Sequence, residues 1–284
     1  MVETGGIRYG LDILPGRVVF ARCSGSREEM NINRLEEVPT DEIRPGLVDR
    51  DGQIFFSIPE KEAIIKRVMI PDMPEIDPDK LAKFEMLASL IDDPEDFYLE
   101  SFALNGPPYR LSVAYNRAAV DTRYAFVEKN LIRPAGYRLR SLALATGYME
   151  FCRKESTDLV CLVDIGSEIV SYCFLDDNRI IWPGAMDRIE PSGGISAAGI
   201  DSFALDLVAV LKYRLALLAP GDRSAHLSQV VLAGPAADEE LARRLGKSLS
   251  AEVTFPEILP HRLEGSSASV AARFLVSLGL TTGF

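Results

Sequence analysis

The chain has 284 residues, which is long enough for two lobes with separate hydrophobic cores. Its 31 basic and 42 acidic residues give a net charge of -11, which argues against nucleic acid or an anionic membrane surface as the main partner. Four cysteines without a CxxC spacing and only two histidines exclude a metal cluster built from the usual ligands.

The first predicted strands form a hairpin that carries an aspartate. Alternating and β-branched residues predict strands near 7–12, 16–23 and 30–37. Asp12 ends the first of these strands, just before Leu14 and Pro15. A carboxylate at such a turn is suited to hold a hydrated cation against a phosphate, but proline has no N–H group to donate.

The middle of the chain predicts a compact insertion. Residues 52–116 contain, in order, two strands, a helix and two strands: QIFFSIP, AIIKRVMIP, DPDKLAKFEMLASLI, DFYLESFAL and YRLSVAYN. Residues 117–152 then predict helix, strand and helix, which return the chain to the earlier unit. We therefore assign 1–51 and 117–152 to a first lobe and 52–116 to an inserted α/β subdomain.

Residues 153–284 predict a second lobe that begins like the first. The strand LVCLVDI ends at Asp164, and a turn and a second strand follow, so that the hairpin of the first lobe is repeated. Here the turn contains Gly166 and Ser167, which lets backbone N–H groups approach an anion. A third strand, a long apolar helix over 200–218 and further strand and helix segments complete a mixed sheet with helices packed against it.

These segments resemble the actin-like superfamily of actin, Hsp70 and the sugar kinases, and within it the PilM branch of type IV pilus assembly proteins. GLDILPGRVVFA resembles the first phosphate hairpin, LVDIGSEIVSYCFL the second, and VVLAGPAADEELARRLGKSLSAEVTF the adenosine-binding strand, loop and helix. The insertion resembles the small subdomain that PilM shares with the division protein FtsA. The resemblance implies an α/β, two-lobed actin-like fold of the ribonuclease-H type with that inserted subdomain.

The chain also departs from the family pattern. Residues 185–227 leave little room for the additional small subdomain that the family usually carries, so we expect a reduced second lobe. Gly234 is followed by Pro235 where the family commonly has two glycines. In this respect the chain is similar to the cytoplasmic domain of GspL from type II secretion, an actin-like domain without a working nucleotide pocket.

The resemblance implies a site for ATP and Mg²⁺ between the two hairpins. In that site Asp12 and Asp164 would flank the phosphates and hold Mg²⁺ through water, Gly166 and Ser167 would cradle an oxygen, and Gly234 would pass under the adenine or ribose. The alternative is that both aspartates simply cap their turns. Since no base for an attacking water is evident, we assign no catalytic residue and expect weak or no ATP hydrolysis.

The resemblance also implies a protein partner. In PilM-like proteins, a groove between the inserted subdomain and the first lobe accepts a short extended peptide from the cytoplasmic tail of a membrane-anchored, PilN-type protein. The residues that we expect to line this groove are Pro45, Leu47, Val48 and Ile54.

The leading hypothesis is a cytoplasmic scaffold, peripheral to the inner membrane, that docks to such a tail in type IV pilus or type II secretion assembly, alone or as a homo-oligomer. We expect no direct membrane insertion, because no signal-like start and no apolar run of roughly 18 residues is present. The alternatives are a nucleotide-switched actin-like ATPase and a small-molecule kinase of the same fold.

Overall fold

The structure is a computed structural model that describes residues 6–26, 29–71, 75, 77–104, 108–153, 158–166, 169–187, 200–218, 226–263 and 272–282. The strands are β1 Ile7–Leu14, β2 Arg17–Ser24, β3 Asn31–Pro39, β4 Gln53–Ile58, β5 Ala63–Met69, β6 Phe97–Ala103, β7 Tyr109–Asn116, β8 Gly136–Leu139, β9 Val160–Ile165, β10 Ile169–Asp176, β11 Arg179–Asp187, β12 Gln229–Ala233 and β13 Glu252–Thr254. The helices are α1 Pro78–Leu87, α2 Arg117–Asn130, α3 Arg140–Phe151, α4 Ile200–Leu218, α5 Glu239–Leu249 and α6 Leu275–Thr281.

Two five-stranded sheets have the same topology. Their strand orders are β3-β2-β1-β4-β8 and β11-β10-β9-β12-β13. In each sheet three antiparallel strands come first, and two strands parallel to the first strand follow. Asp12 on β1 and Asp164 on β9 therefore occupy corresponding places, and the repeat predicted from the two hairpins is confirmed.

The strand β4 belongs to the first sheet. The prediction that the insertion starts at residue 52 is therefore wrong. It pairs in parallel with β1 on one side and with β8 on the other. It is buried from Ile54 to Ile58, as is usual for a parallel strand with both faces covered. The inserted subdomain therefore begins after β4 and consists of the three-stranded sheet β5-β7-β6 with α1 packed against it.

The helices α3 and α6 form a layer between the two sheets. The helix α3 contacts strands of both sheets, whereas α6 contacts β1, β2 and β4 of the first. The two helices cross so closely that a Cβ atom on Gly279 would lie 1.7 Å from the carbonyl oxygen of Ala143. The C-terminal helix thus packs on the first lobe, which corrects the assignment of all of 153–284 to the second.

The helices α4 and α5 cover the other face of the second sheet and form a separate core with β9, β10 and β12. Between β11 and β12, the described residues form only α4, while 188–199 and 219–225 of the interval expected to be reduced lie outside the described ranges. No helix within the described part of the chain is long and apolar enough to span a bilayer.

Candidate functional site between the two aspartate hairpins

The two hairpins meet at one guanidinium group. Arg140, the first residue of α3, places its Nε atom 3.2 and 3.1 Å from the two carboxylate oxygens of Asp12. Its Nη2 atom lies 2.5 Å from Oδ2 of Asp164. Ser57 on β4 donates a hydrogen bond of 2.6 Å to Asp12. All three charged side chains are only 2% exposed, so the pairing takes place out of contact with solvent.

A third carboxylate, Glu60, completes the group at the base of the inserted subdomain. Its Oε1 atom accepts the backbone N–H of Ser141 at 2.5 Å, and its Oε2 atom accepts the Ser171 hydroxyl at 2.9 Å. The Ser171 oxygen in turn accepts a hydrogen bond of 3.2 Å from Nη1 of Arg140. We refer to these side chains as the arginine cluster: Asp12, Ser57, Glu60, Arg140, Asp164 and Ser171.

The charges of the cluster depend on one another. Burial alone would lower the pKa of Arg140, but the carboxylates of Asp12, Asp164 and Glu60 outweigh burial and raise this pKa above its ordinary value. Burial raises the pKa of Asp164 although the guanidinium opposes it, and burial also raises the pKa of Glu60. Three carboxylates thus surround a single cation that stays charged.

The carboxylates account for the position of Arg140, whereas the residue preferences of the first turn of a helix do not. A cation in the first turn of a helix lies at the positive end of the helix dipole, where it is unfavourable. Leu139 precedes α3 without any side-chain cap, and Glu60 compensates by accepting the N–H of Ser141.

The second hairpin is also closed by hydrogen bonds of its own. The N–H of Gly166 donates to the carbonyl of Ile169 at 3.1 Å. Gly234 has a positive φ of 92°, and a Cβ atom there would lie 2.7 Å from the backbone of Ile165. The loop after β12 therefore packs directly on the end of β9. Ser167, predicted to cradle a phosphate oxygen, lies outside the described residues.

Neither the family models nor the curated proteins that were searched contain a match to this chain. Solved structures do match. A protein of a PilM–PilN type IV pilus biogenesis complex has a TM-score of 0.71 at 15% identity, covering 96% of this chain and 97% of that chain. The cytoplasmic domain of EpsL, an inner membrane component of the type II secretion system of Vibrio cholerae, has a TM-score of 0.55 at 12% identity, covering 98% and 97%.

A third match is a Bacteroides thetaiotaomicron protein with an actin-like ATPase fold and unknown function. Its TM-score is 0.54 at 10% identity, and the alignment covers 90% of this chain and 93% of that chain. The fold is actin-like. The expected two-lobed actin-like architecture is thereby confirmed, and at these identities the likeness concerns the fold alone.

An actin-like fold implies a nucleotide with Mg²⁺ between the hairpins, but the residues here do not fit that group as they stand. The guanidinium of Arg140 lies between Asp12 and Asp164, where the metal ion would have to approach. The N–H of Gly166 is already used within its own hairpin. Among the described residues, no group of three His, Cys, Asp or Glu side chains is arranged to hold a metal ion.

The residues expected to line the partner groove are not brought together on a surface of the actin-like fold. Ile54 is fully buried and Val48 is 8% exposed, and both belong to the core of the first lobe. Leu47 packs partly against that core, and Pro45 is exposed. Since a core side chain is unable to contact a peptide, the structure corrects the assignment of Val48 and Ile54.

A cleft of about 430 Å³ does open between the lobes, beside the arginine cluster. Its walls are mostly apolar and come from the β1–β2 turn, the chain after β4, α2 and the start of β10. They include Leu14, Pro15, Pro59, Thr122, Phe126 and Ile169. The ion pair between Glu62 and Arg123 lines the cleft as well.

The sequence analysis missed Arg140 and Glu60, which complete the site. One signal was available: the segment RLRSLALATG places an arginine immediately before an apolar, fully buried helical run. A charge in such a position is buried only when it is paired. The pattern predicts that a partner exists but not which carboxylate it is.

Proposed function

We propose that this chain is a non-catalytic actin-like adaptor, in the cytoplasm at the inner membrane, which binds a short extended segment of a PilN-like membrane protein in pilus or type II secretion assembly. The observation that carries the proposal is the guanidinium of Arg140 between Asp12 and Asp164. It supports docking over phosphoryl transfer, because the two carboxylates that would hold Mg²⁺ are bound to a cation of the chain itself.

The likeness in fold to a protein of the PilM–PilN complex and to the EpsL cytoplasmic domain supports the pilus or secretion context. It does not by itself give the place where a partner binds.

We place the partner segment in the cleft beside the arginine cluster instead of near residues 45–54. An extended peptide that inserts an apolar side chain would contact Leu14, Phe126 and Ile169 on three sides. The Glu62–Arg123 pair, which also lines the cleft, offers polar contacts to the peptide backbone. Binding of this kind requires no chemistry.

ATP with Mg²⁺ at Asp12, Asp164, Gly166, Ser167 and Gly234 is the alternative. It requires Arg140 to leave both carboxylates, so that the metal ion reaches Asp12 and Asp164, whose side chains are now only 2% exposed. A nucleotide switch and a small-molecule kinase share this requirement.

Titration of the chain with a fluorescent synthetic peptide, the cytoplasmic tail of a PilN-like protein from the same organism, tests the docking. We expect saturable binding by fluorescence anisotropy. Thr122→Trp, which fills the cleft from α2, should weaken it at least about tenfold, or ~1.4 kcal/mol. Ala125→Trp is the matched control, since Ala125 is exposed on the same helix and does not line the cleft.

Absence of saturation, or equal effects of the two tryptophans, would contradict docking in this cleft. Phosphate release from Mg–ATP, measured with and without the peptide, tests the non-catalytic part separately. We expect the background rate in both cases. Turnover that Asp164→Ala abolishes would instead favour the ATPase alternative.

A further inference from the structure

We infer that Arg140 is a built-in cation that joins the two aspartate hairpins and holds the lobes closed without any ligand. This inference does not depend on a partner binding, although Arg140 also lines the cleft in which we place that partner. It concerns the relative position of the two five-stranded sheets and what maintains it.

Arg140 is placed to join both lobes. It begins α3, the helix that contacts strands of both sheets. On one side it binds Asp12 of β1, and on the other it binds Asp164 of β9 and Ser171 of β10. Separation of the lobes would therefore break charge pairs that are shielded from water.

The shape of the guanidinium suits this task. Its three nitrogen atoms are divided among three partners: Nε and Nη1 donate hydrogen bonds to Asp12 and Ser171, and Nη2 forms an ion pair with Asp164. A lysine ammonium is a compact charge on a flexible stem and lacks this planar fork. The arrangement thus depends on arginine and not merely on positive charge.

Glu60 extends the same connection through hydrogen bonds. It accepts the Ser171 hydroxyl from the second lobe and the N–H of Ser141 from α3. Without Arg140, three buried carboxylates would remain near one another with no compensating charge, a state that is strongly unfavourable. The lobes would then separate to let water reach these carboxylates.

The test measures the distance between the lobes. The variant with Arg50→Cys in the first lobe and Lys247→Cys in the second carries spin labels at two exposed positions. The four native cysteines are buried, and burial raises the pKa of Cys23 to about 12, so the introduced thiols react first. We expect one narrow distance distribution by pulsed electron resonance, unchanged by millimolar Mg–ATP.

Three further variants, each carrying the labels, decide the inference. Arg140→Lys should give a broader distribution, shifted to longer distances. Arg140→Met combined with an amide at each of the three carboxylates (Asp12→Asn, Glu60→Gln and Asp164→Asn) should do the same, and this neutral variant leaves no unpaired charge in the arginine cluster to impair folding. Arg123→Met is the matched control, because its partner Glu62 lies in the same half of the molecule.

The inference is overturned if the folded neutral variant keeps the narrow wild-type distribution. It is also overturned if Mg–ATP shifts the distribution of the wild-type chain. Failure of peptide binding would leave both measurements unaffected, so the two proposals fail separately.

Discussion

The layer between the two sheets contains two contacts that differ in chemistry. In the arginine cluster, charged groups from both hairpins meet around a guanidinium. At the crossing of α3 and α6, glycines let backbones touch, with Gly147 and Gly279 facing each other's helix. Backbone contact tolerates no added atom, whereas the ionic contact depends on charge and burial. We therefore expect the helix crossing to determine whether the chain folds. We expect the arginine cluster to determine the distance between the two lobes in the folded chain.

Gly279→Ala should have the largest effect on stability. Its Cβ atom would lie 1.7 Å from the carbonyl oxygen of Ala143, and a backbone oxygen is unable to move aside without displacing α3. We expect a loss of about 4 kcal/mol or more in the free energy of unfolding, measured with urea. Gly246→Ala on α5 is the control and should change stability by no more than about 1 kcal/mol. Equal stability of the two variants would refute the close crossing.

Arg140→Ala should come second, with a loss of about 3–5 kcal/mol, because three buried carboxylates lose their cation. Asp164→Asn should cost less, about 1–3 kcal/mol, since Asp12 and Glu60 still neutralise the guanidinium. Urea unfolding of both variants at neutral pH tests this order. The reverse order would mean that Asp164 contributes more than Arg140 to the stability of the cluster.

Glu60→Gln should change how stability depends on pH. Burial raises the folded-state pKa of Glu60, so the folded protein keeps a proton on Glu60 to a higher pH than the unfolded chain does. That contribution is fully present below the ordinary pKa of glutamate and is lost as pH rises through the raised value. Glutamine does not ionise, so the melting temperature of the variant should rise relative to that of the wild type as pH increases above about 4. A difference in melting temperature that stays constant as pH increases would contradict a buried carboxylate with a raised pKa.

Arg123→Ala should have the smallest effect. The Arg123–Glu62 pair has the same chemistry as the cluster, but its side chains are 18% and 23% exposed. An ion pair in contact with water contributes about 1 kcal/mol or less. Thermal unfolding of this variant beside Arg140→Ala therefore isolates the effect of burial. A loss as large as that of Arg140→Ala would show that burial is not what distinguishes the two pairs.

Much of the fold could be predicted from the sequence because its signals are local. Each hairpin carries its apolar strand, its aspartate and its turn within about 20 residues, and this repetition indicated two similar sheets. The assignment of β4 failed for a physical reason. Its run from Ile54 to Ile58 is buried on both faces, which is typical of a central parallel strand, but periodicity alone does not say which sheet it joins.

The site was predictable only in part because its contacts are distant in the chain. Arg140 lies 128 residues from Asp12, and Glu60 lies 111 residues from Ser171. A single sequence contains no rule that pairs such positions. The expected groove failed similarly, since the apolar character that suggested Val48 and Ile54 also suits a core.

Arg140 has a thermodynamic consequence beyond the geometry of the hairpins. A ligand that joins two lobes stabilises the joined state in proportion to the logarithm of its free concentration. A side chain of the same molecule has no free concentration, so its contribution is constant in every cellular condition that leaves the charges unchanged. If Arg140 takes the place of the nucleotide, the concentration of ATP in the cell no longer affects the equilibrium between open and closed lobes. That equilibrium is then shifted only by a macromolecule that binds one of the two conformations more tightly than the other.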